Sequence, residues 1–200
     1  MLKRTPLFFW VAAAAVVLAA GAIWAGQTLL GRLGEMPLAA KVGGPFKLTD
    51  HNGRRFSSQQ LAGKPYAVFF GFTLCPDVCP TTLLELTTDI EALGADADKM
   101  RYVFISVDPE RDTPEHLKTY LSNFNPRIIG LTGTPAEIAA VAKAYRVFYE
   151  KVPTKEGYTV NHTATTYLMD AKGRFVSTMA YREATETRRA KLHKLIAGAG

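Results

Sequence analysis

Cys75 and Cys79 are the only cysteines of this 200-residue chain, and they stand in Thr73-Leu74-Cys75-Pro76-Asp77-Val78-Cys79-Pro80. Paired thiols can close a structural disulfide, exchange disulfides with another protein, or hold a soft metal. A disulfide across so short a loop restricts the unfolded chain little. Exchange usually employs C-x-x-C, one residue tighter than the spacing here. Two cysteines are too few for a four-cysteine zinc or iron–sulfur site. Two thiolates on a loop suit Cu(I), and an added imidazole also holds Cu(II). Zinc accepts the same donors but needs oxygen or water to complete its shell. The residue types leave exchange and metal binding both open.

A metal needs a third donor, and the chain offers four histidines. His51 falls at a turn, His116 on an exposed helix face, and His193 in a basic terminal helix where it suits the helix dipole. His162, in Val160-Asn161-His162-Thr163, is read as a loop residue just before a strand. From there it can fold back over the cysteine loop as a neutral imidazole ligand.

The elements around these residues follow from pattern. Tyr66–Phe72 and Tyr102–Val107 are near-continuous apolar runs, as expected of central strands covered on both faces. A helix over Pro80–Leu93, with Pro80 at its first position and Gly94 ending it, puts the cysteines between a strand end and a helix N-terminus. Orphan N–H groups and the helix dipole there favour thiolate over thiol. Further helices are predicted over Pro114–Phe124, Pro135–Tyr145 and Thr185–Ile196, with a short strand at Ile128–Leu131. Phe46–Thr49 and Arg55–Ser57 predict a hairpin about a two-residue Asn52-Gly53 turn. Thr165–Met169 and Phe175–Met179 predict another about Asp170–Gly173. Alternating strands and helices with a closing hairpin give an α/β, thioredoxin-like fold with a mixed central sheet and added β-hairpins. Asp108 is expected to end the second central strand, either as a turn residue or as a group beside the site.

Leu7–Ala25 is uncharged and apolar, long enough at ~1.5 Å per residue to cross roughly one hydrocarbon core. Lys3 and Arg4 before it place residues 1–6 in the cytoplasm. Ala20-Gly21-Ala22 offers a cleavage pattern, but the apolar run continues through Ile23 and Trp24, so a retained transmembrane anchor over 7–26 is expected. A Gly- and Pro-bearing linker over 27–41 then leads to a domain over 42–200. This predicts a single-pass protein of a bacterial inner membrane with its soluble domain in the periplasm. The net charge is +6, and half of that surplus flanks the apolar segment. The Arg188, Arg189, Lys191 and Lys194 cluster reads as a solvated helix face. With no basic stripe interleaved with aromatics, nucleic-acid binding is not expected.

Gly71–Pro80, the segment Ile105-Ser106-Val107-Asp108-Pro109-Glu110-Arg111-Asp112-Thr113-Pro114, and His162 before Tyr167-Leu168 together resemble the Sco/SenC family. The resemblance covers about Val42 to Ile196. It implies a thioredoxin-like copper metallochaperone that binds Cu(I) and Cu(II) through Cys75, Cys79 and His162. It also implies a periplasmic copper donor, and delivery to or preparation of the CuA centre of cytochrome c oxidase subunit II. The acidic residue that the family often carries before that histidine is Asn161 here. A thiol–disulfide oxidoreductase that reduces the target's cysteines through Cys75 and Cys79 is the alternative. A peroxidase is disfavoured, because neither cysteine lies in a Pro-x-x-x-Thr-x-x-Cys pattern. Nothing in the sequence demands more than a monomer.

Overall fold

A computed structural model describes Gly21 and residues 42–198. The expected anchor over 7–26 and linker over 27–41 lie outside the described residues, Gly21 apart. Among the described residues no helix is long and apolar enough to cross a membrane.

The chain opens with β1 (Lys47–Asp50) and β2 (Arg55–Ser57), then alternates β3 (Tyr66–Gly71), α1 (Val78–Leu93), β4 (Arg101–Ser106), α2 (Pro114–Leu121), β5 (Ile128–Thr132) and α3 (Pro135–Tyr145). It closes with β6 (Tyr149–Thr154), β7 (Gly157–His162), β8 (Thr166–Met169), β9 (Phe175–Met179) and α4 (Thr185–Ala197). Seven strands form one sheet in the order β2-β1-β5-β4-β3-β8-β9, while β6 and β7 form a separate ribbon. β3, β4 and β5 run parallel, and β8 pairs antiparallel with β3. The sheet is therefore mixed, as predicted. Every residue of β3 and all but the first of β4 are buried, which is why both read as unbroken apolar runs.

Helix ends follow local chemistry. Thr134 Oγ1 accepts the Glu137 N–H at 3.2 Å while Glu137 Oε2 accepts the Thr134 N–H at 2.8 Å, a reciprocal cap that starts α3 at Pro135 as predicted. Helix α1 starts at Val78, two residues before the prediction. Pro80 is its third residue and not its first, which costs nothing because first-turn N–H groups have no intrahelical partner. Cys79 consequently lies inside the first turn.

The two sheet hairpins share one turn. Asp50 Oδ1 accepts the N–H groups of Asn52 and Arg54, and Asp50 Oδ2 accepts from Arg54 Nε. Asp170 repeats all three bonds with Lys172 and Arg174. Gly53 and Gly173 take the positive φ this turn requires. The first turn is thus wider than the two-residue Asn52-Gly53 reading, because the Asp50 carboxylate closes it from outside.

Two further expectations are corrected. The segment before β8 is not a loop but the β6–β7 ribbon, whose Pro153 and exposed charges hide the strand pattern. The C-terminal basic cluster is not wholly a solvated face. Arg188 is 6% exposed, and its Nε bonds Asp89 Oδ2 on α1 at 2.8 Å. Asp89 is fully buried and needs that counter-charge.

Candidate metal centre

The cysteine loop leaves β3 at Gly71 and enters α1. A Cβ at Gly71 would stand 2.7 Å from Cys79 Sγ and 2.9 Å from the Phe104 ring, so only glycine lets the sulfur lie against the strand. The start of the loop is fixed by Asp112. Its carboxylate accepts Thr73 Oγ1–H at 2.6 Å, the Thr73 N–H at 3.1 Å and Ser106 Oγ–H at 2.6 Å. Cys79 is fully buried, while Cys75 is half-buried. The Cys79 N–H, one of the orphan donors of α1, points at Cys75 Sγ from 3.4 Å.

His162 is the last residue of β7, not a loop residue, and pairs with Tyr149 of β6. Its Nε2 stands 3.3 Å from Cys79 Sγ. Its Nδ1 stands 3.0 Å from the Thr163 carbonyl, which can only accept, so Nδ1 carries the proton. In the neutral ring Nε2 then turns its lone pair toward the sulfurs. Phe69 and Phe72 meet the ring edge-on, with centroids 6.1 and 5.8 Å away, and hold its plane.

The ligand atoms of Cys75, Cys79 and His162 all lie within 4.8 Å of one another. An ion held at about 2.0–2.3 Å from each of three donors needs those donors roughly 3.5–4 Å apart. Small shifts therefore suffice to close the three donors on one ion. The pair of thiols is already unequal. A hydrogen bond from Cys79, helped by the N–H groups of Cys79 and Asp77, draws the Cys75 thiol down to about 4 against its burial. The same bond to Cys75, then burial, pushes the Cys79 thiol up. Metal-free, the site holds one thiolate and one thiol. The donor set of two soft sulfurs and one imidazole fits copper.

Residues 34–197 match the SCO1/SenC family model. The chain belongs to the SCO1/SenC family. An SCO2-like protein of Rickettsia prowazekii is 45% identical over 68% of each chain. A Bradyrhizobium japonicum ScoI structure, with copper bound, is 54% identical with a TM-score of 0.73, covering 77% of this chain and 99% of that one. An Arabidopsis thaliana ScoI structure, also with copper bound, is 38% identical with a TM-score of 0.74, covering 78% and 99%.

All three residues singled out from the sequence of this SCO1/SenC protein converge, and the other histidines stay away. His51 is not a free turn residue: its Nδ1 accepts the Gly130 N–H at 3.0 Å. His116 is exposed, as predicted, and His193 is exposed on the terminal helix. Asn161 is also exposed, and the outer ring nitrogen of His162 is held by the Thr163 carbonyl and not by a carboxylate. Asp108 touches none of the three ligand candidates. It is buried just beyond β4 and bonds Arg111 and Tyr158. Sequence reasoning gave Asp112, Arg111 and Tyr158 no role. The first two lie in the quoted Ile105–Pro114 motif, which was the available signal; Tyr158 carried none.

Proposed function

We propose that this chain is a copper metallochaperone. Cys75, Cys79 and His162 hold Cu(I) or Cu(II), which the protein receives from a periplasmic donor. It then passes the ion to, or prepares, the CuA centre of cytochrome c oxidase subunit II. The convergence of two sulfurs and the Nε2 lone pair carries this reading, and the copper-bound relatives support it. Copper displaces the remaining thiol proton, so loading is pH-dependent. With three protein donors, one side stays open for a partner's ligand to attack. Residues 7–26 anchor the domain on the periplasmic face of a bacterial inner membrane and raise its effective concentration beside a membrane oxidase. Titration of the reduced, metal-free full-length chain with Cu(II) tests this. The expected result is one equivalent bound, with a thiolate-to-copper absorption band that is lost in Cys75→Ser and His162→Ala.

A thiol–disulfide reductase is the second reading, and the unequal thiols favour it: a half-buried thiolate beside a buried thiol suits attack on a partner's disulfide. Reduction makes no use of His162. If His162→Ala reduces oxidised subunit II at the wild-type rate while copper loading is lost, both roles reside in one site. If wild type does not reduce it, the second reading falls.

A further inference from the structure

The β6–β7 ribbon carries His162 yet shares no hydrogen-bonded ladder with the main sheet. A lone two-stranded hairpin is marginal in water, and Val160 is the one buried residue of its two strands. Its attachment must come from side chains. Most of the polar attachment comes from the turn that follows β4. Asp108 Oδ1 accepts the Tyr158 hydroxyl at 2.8 Å, and Asp108 Oδ2 accepts Arg111 Nε–H at 2.5 Å. Arg111 Nη1 donates to the Tyr158 carbonyl at 2.8 Å, and its guanidinium lies 3.8 Å over the Tyr158 ring. The same turn grips the other half of the site, because Asp112 holds Thr73, two residues before Cys75.

We infer that the Asp108–Asp112 turn is a bracket that sets the distance between the cysteine sulfurs and His162, with Asp108, Arg111 and Asp112 as positioning residues. One turn bonds the start of the cysteine loop through Asp112 and the histidine strand through Asp108 and Arg111. Arg111 also reaches the wall of the site: its guanidinium lies 6.0 Å from the Phe72 ring that packs on His162. The guanidinium is not placed for stability alone. Its buried Nη2 finds no partner among the described residues, a cost that a freely chosen ion pair would avoid.

This inference rests on the copper reading only for its metal arm. Cu(I) is satisfied by two thiolates, whereas Cu(II) draws more on the imidazole. Arg111→Lys keeps the charge but loses the fork and the stacking. Tyr158→Phe removes a single hydroxyl and serves if the lysine variant does not fold. Amide hydrogen exchange of the reduced, metal-free full-length chain should rise about tenfold over residues 157–162, with β3 and β4 unchanged. Cu(II) affinity should fall about tenfold or more, with Cu(I) affinity falling far less. Unchanged exchange in β7 with an unchanged Cu(II) affinity overturns the bracket, as does an equal fall for both oxidation states together with a lowered melting temperature. If wild type takes up no copper, the metal reading fails, and the exchange arm alone decides the bracket.

Discussion

His162 Nε2 stands 3.3 Å from Cys79 Sγ, although 83 residues separate them in the chain. One partner is buried against β3 and the other ends a ribbon outside the main sheet. The site is therefore assembled by tertiary contacts, and its parts can be perturbed one at a time.

Gly71→Ala presses a methyl group onto Cys79 Sγ and the Phe104 ring. Both neighbours are fully buried, so the strain cannot escape to solvent. The variant should lose about 1–3 kcal/mol of stability in urea unfolding. Its copper stoichiometry should also drop, because the sulfur is displaced from His162.

In the reduced, metal-free protein the Cys75 thiol, drawn down to about 4, is already ionised at neutral pH. Its alkylation by iodoacetamide should be nearly flat between about pH 6 and 8, falling only toward about pH 4. An ordinary cysteine, with its pKa of about 8.5, rises steeply over that range. Cys79, buried and held protonated, should resist. Peptide mapping by mass spectrometry reads both sites. Steep pH dependence at Cys75 contradicts the assignment.

Arg188→Ala leaves Asp89 fully buried, with only Arg189 Nε at 3.2 Å to answer its charge. The cost should be about 3–5 kcal/mol in chemical denaturation. Replacing both, Asp89→Leu with Arg188→Met, should cost far less. Copper uptake should survive in the double variant, since neither residue bonds Cys75, Cys79 or His162.

The sequence was most legible where structure is local. The Thr134, Pro135 and Glu137 cap defines α3 without reference to the rest of the chain, and the apolar runs of β3 and β4 announce burial on both faces. Pro80 misled by two residues because proline fits any position of a first helical turn. The ribbon that ends in His162 was invisible: Pro153 and the surrounding charges mask its alternation, and its order depends on Asp108 and Arg111 far upstream. Arg188 was misread for the same reason, since the acid that buries it is 99 residues away. Cys75, Cys79 and His162 were recoverable because motif resemblance carries residue identity even where local pattern fails. Asp112 and Tyr158 act through contacts that no spacing rule encodes.

The central claim is that Cys75, Cys79 and His162 bind one copper ion together. X-ray absorption at the copper edge of the loaded full-length protein, compared with His162→Ala, tests it most directly. Two sulfurs and one imidazole nitrogen around a single copper, with the nitrogen lost in the variant, is the predicted result. A shell without sulfur, or one that His162→Ala leaves unchanged, contradicts it.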